Sequence, residues 1–437
     1  MMAANSAKRC ERMNPLNKRT ELLPNVFLTS VQSEKFKTGC LSISFLRPLR
    51  AQEASANALI PTVLLRGCRS YPDIQSISAF LDECCGAGVG TLVRKKGEVQ
   101  TTGFYADFLE DRFSLDGREI LAPMIDFVAQ LLLEPVLEEG RFVASFVEGE
   151  KQNLLNTIDS RINNKAGYAL SQMLRTMCAD ETYGLPRLGR REDAEILEPK
   201  SLYDHYLHLL AHSRVEIFYH GSCPGERVAE LLRSALKDLP RAEPDAFSTK
   251  VVLRADTVRE VREQLDVTQG KLAMGLRLGT TAAEPEYPAA LLMNTVFGSG
   301  VTSKLFANVR EKMSLCYYAN SSLEKFKGVM AISSGIEFDK FETARDEILR
   351  QLDLVRQGDI TDEELETARQ QLLSSLKTGM DSPARLDDYA LGQTILGQEG
   401  TMADLAEQLR AVTKEQAAAA ARAVTLDTVY FLEGVAK

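Results

Sequence analysis

In the stretch "KLFANVREKMSLCYYAN", Arg310 and Tyr317 stand seven residues apart, where a helical pattern gives way to a strand-like one. A guanidinium offers a rigid planar fork of N–H donors, and a phenol offers one hydroxyl that donates or accepts. The pair is either local packing, with the arginine complementing the helix dipole, or half of an active site. A second grouping, "HYLHLLAH", sets His205, His208 and His212 on one face of a predicted helix, and these are three of the chain's four histidines. His208 and His212 have the i, i+4 spacing of a zinc-binding helix, but only Leu209, Leu210 and Ala211 lie between them. With no glutamate there to act as base, the row reads as a solvated or capping face rather than a metal site.

Other candidate motifs carry less. "GAGVG" lacks the G-x-G-x-x-G spacing and is followed by a strand pattern, which argues against a dinucleotide site. In "GSGVTSK" the lysine follows the serine instead of preceding it, so this is not a Walker loop. Both glycine clusters read as turns, and Thr302 or Ser303 is placed to cap the helix that leads to Arg310. The eight cysteines are scattered, with no C-x-x-C, and read as reduced, buried thiols of a cytoplasmic protein.

The elements that must position these residues fill 437 residues, a length that suggests about two to three domains. The composition, 44% apolar and 26% charged, is that of a globular chain. No run approaches the roughly 18 apolar residues of a membrane span. The net charge of −9 argues against a nucleic-acid partner. The N-terminal "MMAANSAKRCERMNPLNKRT" lacks an apolar core and reads as a short polar arm rather than a secretory signal.

Periodicity gives strands at "GCLSISFLRPL" and "GEVQTTGFYADFL", a long helical region over residues 141–179, a helix at "SLYDHYLHLLAH" and a strand at "VEIFYHG". After the Pro-rich break "LPRAEPDAF" the order restarts with strand "KLAMGLRL". Further on come strands at "SLCYYANSSLE" and "GVMAISSGIE", three helical stretches and a closing strand, "DTVYFLEGV". "QNLLNTI…AGYALSQML" (Gln152 to Leu174) matches "QQLLSSL…DDYALGQTIL" (Gln370 to Leu396) in order and character. These features predict a tandem duplication of an α+β unit of about 200 residues. The expected divisions are an arm over 1–25, a first repeat over 26–238, a linker over 239–262 and a second repeat over 263–437.

With the Arg/Tyr segment, this layout resembles the pitrilysin/insulinase family of inverted zinc peptidases, most closely its processing-peptidase branch. "FGSGVTSKLFANVREKMSLCYYANSS" (residues 297–322) resembles the family's second-domain signature without a gap. The resemblance implies an α+β fold of two homologous α/β-sandwich domains, each an antiparallel-rich sheet covered by helices. It places the family's substrate-binding arginine on Arg310 and its tyrosine on Tyr317, with Tyr318 as a rival for the cleft. In the first half the family carries H-x-x-E-H, two zinc ligands and a catalytic glutamate. "LLRGCRSYPD" resembles the stretch after that motif, and counting back puts the motif on "ALIPT". Ala58, Pro61 and Thr62 then stand for the two histidines and the glutamate. Thr157 stands for the third ligand. Pro61 should disturb a helix interior unless it sits in a first turn.

The resemblance therefore implies a chain with no zinc of its own. In the processing-peptidase branch two homologous chains divide the work, and this sequence looks like the partner without zinc. It would bring Arg310 to the substrate backbone and Tyr317 to the oxyanion, while an H-x-x-E-H-bearing subunit brings zinc and the water. The other expectation is a scaffold homologue from which all catalysis is gone.

Overall fold

Along "TGCLSISFLRP", alternate side chains face opposite ways, as the period of a strand requires. In the computed structural model, which describes residues 18–434, Leu41, Ile43 and Phe45 enter one apolar core, while Ser42 and Leu46 face the other side. In chain order the strands of the first half are β1 (Lys18–Leu23), β2 (Val26–Gln32), β3 (Thr38–Pro48), β4 (Gly88–Lys96), β5 (Val99–Leu109), the short hairpin β6 (Leu137–Glu138) and β7 (Arg141–Phe142), and β8 (Arg214–Gly221). Those of the second half are β9 (Arg259–Leu265), β10 (Gly270–Arg277), β11 (Cys316–Glu324), β12 (Val329–Ile336) and β13 (Thr425–Gly434).

Five strands of the six-stranded first sheet recur in the same order in the second, and β1 is an addition to the first. The first sheet has the order β1-β2-β8-β3-β5-β4, and the second reads β9-β13-β10-β12-β11 from its other end. Each contains one parallel pair at the equivalent place, β2 with β8 and β9 with β13, and is otherwise antiparallel. The edge strands β4 and β11 are thus counterparts. β1 lies among residues expected in the arm, and β9 straddles the expected end of the linker.

The helices interlock the halves. Helix Lys165–Met177, from the first half of the sequence, packs on the second sheet, where its Ala169, Met173 and Met177 meet Ala273, Tyr430 and Leu432. Gly275 is a glycine for that reason, since a Cβ there would lie 2.4 Å from the Met173 sulfur and 2.6 Å from that of Met177. Helix Pro383–Leu396, from the second half, covers the first sheet in return: Leu391 packs with Leu46 and Val99. Its buried Asp387 accepts from Ser42 Oγ at 2.7 Å and from Arg94 at 2.6 Å. These are the second helices of the two segments matched in the sequence. Each sheet is sandwiched between helices of its own half and one from the other.

Several expectations change in detail. The helical region over 141–179 is two helices, Ala144–Asp159 and Lys165–Met177, joined by a turn at Ser160–Asn163. Five helices, not three, lie between β12 and β13. Glycines in the left-handed region at Gly358 and Gly397, and capping boxes at Thr361, Thr401 and Thr413, end and restart them. "GAGVG" is a turn only at its start, since Gly88 and Gly90 belong to β4. Among the described cysteines Cys85 is exposed and Cys223 half-buried, against the expectation of burial, and all seven are free; Cys10 lies outside the described residues. No helix among the described residues is long and apolar enough to cross a membrane.

Candidate functional site

The degenerate motif lies on helix Ala51–Leu64, with Pro61 in the interior rather than in the first turn. A proline there has no N–H for the carbonyl four residues back, here that of Asn57. Thr102 on β5 supplies the missing donor, its Oγ1 lying 2.6 Å from Asn57 O. The helix continues to Leu64 because a neighbouring strand repairs the gap. This predicts that Thr102→Val, which strands a buried carbonyl, costs about 1–3 kcal/mol. In a Pro61→Ala background, where the peptide N–H returns, the same change should cost much less. Urea unfolding of the four chains measures both, and equal costs in the two backgrounds would refute the repair.

The four motif positions hold no ligand. Ala58 and Pro61 are buried. Thr62 Oγ1 donates to Leu59 O and Thr157 Oγ1 to Asn153 O, each at 2.8 Å within its own helix. No three described His, Cys, Asp or Glu side chains gather where a metal ion could be held. These residues do not fit zinc.

Asn57, one residue before the motif, has become a polar hub. Its Nδ2 donates to Gln100 Oε1 at 2.9 Å, and its Oδ1 lies 2.8 Å from His205 Nε2. Because Oδ1 is the acceptor, His205 carries its proton on Nε2. His205 is therefore not on a solvated face, which corrects that reading, although His208 and His212 do stack beside each other with centroids 4.4 Å apart. Burial draws His205 down to about 4 from the ordinary 6.5. Between those values the unfolded chain takes up a proton that the folded chain refuses, so this contribution to stability is complete above pH 6.5 and is lost as pH falls toward 4. His205→Gln should be less stable than wild type at neutral pH, with the gap narrowing through that window. A gap independent of pH would show that His205 does not titrate this way.

The Arg/Tyr segment is built differently from a plain helix and strand. Residues Leu305–Lys312 coil more widely than an α-helix, and Met313 N–H donates to Asn308 O five residues back at 3.1 Å. Ser303 caps this segment, its Oγ accepting from Phe306 N–H at 3.4 Å. Arg310 sits in its last turn, 43% exposed, over the Phe306 ring at 4.8 Å and 3.4 Å from Glu311. Both are light restraints that a ligand can displace.

The edge strand β11 begins with a bulge. Cys316 pairs with Ile336 and Tyr318 with Gly335, so Tyr317 has no partner. The bulge breaks the alternation of a regular strand. Leu315, Cys316 and Ala319 all enter the core, Tyr317 is pushed outward to 67% exposure, and Tyr318 is half-buried with its oxygen 3.5 Å from Ser333 Oγ. Burial pushes the Tyr318 phenol above its ordinary range. Of the two tyrosines, Tyr317 is the one free to meet a ligand. No hydrogen bond joins it to Arg310; the two stand at neighbouring ends of adjoining elements.

Comparison with known proteins places this arrangement. The chain is 31% identical over 408 residues to the "Probable inactive metalloprotease YmfF" of Bacillus subtilis (strain 168), covering 92% of this chain and 95% of that one. It belongs to the M16 peptidase family. A family model described as "Peptidase M16 inactive domain" matches residues 197–372, which include Arg310 and Tyr317. The chain is 22% identical over 364 residues to the "Uncharacterized zinc protease YmxG" of the same bacterium, covering 80% of this chain and 86% of that one. Among solved structures, a conserved protein from Enterococcus faecalis V583 superposes with a TM-score of 0.89 at 26% identity, over 96% of this chain and 99% of the other. The M16 inactive domain from Pseudomonas fluorescens gives 0.78 at 16% identity, over 96% and 98%. M16 is the pitrilysin/insulinase family that the sequence resembles, and the two-sheet fold is the one expected of it.

Sequence reasoning missed Asn57, Thr102 and the β11 bulge. Pro61 did carry a signal for the first two, because an interior proline always frees the carbonyl four residues earlier.

Proposed function

We propose that this chain is the zinc-free subunit of a heterodimeric zinc peptidase. A homologous partner bearing H-x-x-E-H holds the metal and the attacking water. This chain contributes Arg310 to the backbone of an extended peptide and Tyr317 to the developing oxyanion. Main-chain pairing along a sheet edge gives affinity with little dependence on sequence. The observation that carries the reading is the contrast between the two halves. Ala58, Pro61, Thr62 and Thr157 have been turned to packing and to bonds within their own helices. Tyr317, by contrast, is turned out to solvent at the bulge, unpaired in the ladder, beside a lightly held Arg310. A chain kept only as a scaffold has no use for that pair.

The test is to recover the chain from its native cells and analyse what accompanies it by mass spectrometry and zinc determination. A stoichiometric companion of similar size carrying H-x-x-E-H and about one zinc is the expected result. Recovery alone, or in a larger zinc-free assembly, would overturn the proposal in favour of the scaffold reading.

A further inference from the structure

Three cations gather at the open edge of the first sheet, and no carboxylate is bonded to any of them among the described residues. Lys95 on β4 donates to Tyr183 O at 2.9 Å and Leu185 O at 3.1 Å, over the Tyr183 ring. Arg187, in the loop that follows, donates through Nη1 to Val93 O of the same edge at 2.7 Å. Arg161 lies in the turn Ser160–Asn163, one helical turn beyond Thr157, and is half-buried without a hydrogen bond or ion pair to any described residue. The three are close enough for their charges to act on one another. Arg161 is held below the ordinary guanidinium range by burial and then by Arg187. Lys95 is drawn down to about 8 by burial, with Arg161 and Lys327 adding to the effect and Glu324 opposing it.

Lys95 and Arg161 are half-buried and Arg187 is exposed, and like charges set this close favour a negative group among them. This chain has nine more carboxylates than cations, yet it leaves Arg161 unpaired beside the position matched to the family's third zinc ligand. The cluster flanks β4, the counterpart of β11 and an edge strand with no strand partner on its outer side, where Val93 O accepts from Arg187. Arg187 uses one of its five N–H donors on Val93 and keeps the rest. An edge that can pair with a main chain, next to guanidinium forks that match a carboxylate, is suited to one class of ligand.

We propose that Arg161, Arg187 and Lys95 form a subsite for a carboxylate carried by an extended peptide, supplied by an acidic side chain or by the C-terminus. The inference rests on the reading that this chain holds peptide, and it adds a preference to it. Fluorescence anisotropy with the full-length chain and three labelled peptides of equal length tests both. One peptide has a central glutamate and an amidated end, the second has glutamine there and an amidated end, and the third has glutamine and a free C-terminus. At low salt, one of the two carboxylate peptides should bind about tenfold tighter than the glutamine amide, and which one it is identifies the source. Arg161→Gln should abolish the preference without changing affinity for the glutamine amide, and Arg161→Lys should restore much of it. Because Arg161 bonds to nothing in the fold and sits among like charges, neither variant should melt below wild type. Equal binding of all three peptides, or a preference untouched by Arg161→Gln, would overturn the subsite and leave the peptide-holding role standing. Failure of every peptide to bind would remove both.

Discussion

Lys327→Met will lower stability by about 3–5 kcal/mol, among the largest losses available to a single side chain in this molecule. Lys327 is fully buried, and its ammonium spends all three donors: on Glu98 Oε1 at 2.8 Å, on Glu181 Oε2 at 2.7 Å and on Lys250 O. Glu181 also accepts from Arg277 at 2.7 Å, and Arg277 reaches Asp427 at 2.8 Å. Glu98 and Glu181 come from the first half and Lys327, Arg277 and Asp427 from the second, so the network crosses the interlocked halves. Burial works to raise the Glu181 carboxyl, but the bonds from Arg277 and Lys327 outweigh it and hold the group below its ordinary range. Removing the lysine leaves Glu98 buried with only the weak backbone donors Lys250 N–H at 3.3 Å and Tyr183 N–H at 3.4 Å. The loss is therefore mostly the cost of an uncompensated charge, and adding Glu98→Gln should recover part of it. Urea midpoints of the three chains measure this. A loss under about 1 kcal/mol for the single variant would mean that water reaches the site and that the network does not tie the halves.

That network illustrates where the sequence stops being legible. The period of two in β3 and β10, and the apolar stripes of the helices, are local, and they yielded the repeat and the fold class. The match of Gln152–Leu174 with Gln370–Leu396 identified equivalent helices but not which sheet each covers. Apolar periodicity says that a face is buried, never against what. Glu98 and Lys327 are 229 residues apart, and Ser42 and Asp387 are 345 apart. Nothing in a single chain marks such partners.

The candidate site was legible to a different depth. Absence of the zinc motif needs only the identities of Ala58, Pro61, Thr62 and Thr157. The choice between Tyr317 and Tyr318 needs the bulge, a one-residue irregularity in pairing that leaves no compositional trace. His205 was misjudged because its helix looks like an ordinary surface helix until Asn57 is seen opposite.

On the proposed division of the active site, Arg310→Ala and Tyr317→Phe in this chain will each lower cleavage by the zinc-bearing partner by about 10²–10³-fold, although neither would touch the metal. The argument begins with restraint. Arg310 loses little on leaving Glu311 and the Phe306 ring, and Tyr317 has no strand partner and no bond to give up. Neither is needed for the core, so both variants should fold and assemble with the partner's zinc content unchanged. The losses should divide by role. A phenol that meets only the developing oxyanion lowers kcat with KM nearly unchanged, whereas an arginine that grips the peptide backbone in ground and transition state also raises KM. Tyr318→Phe is the control. Its half-buried hydroxyl faces Ser333, and its removal should leave kcat nearly unaltered. If Tyr318→Phe proved the damaging change, the bulge would have to flatten on assembly. If neither Arg310→Ala nor Tyr317→Phe slowed a partner of intact zinc content, the divided active site would be wrong, and the exposure of Tyr317 would have to answer to some other ligand.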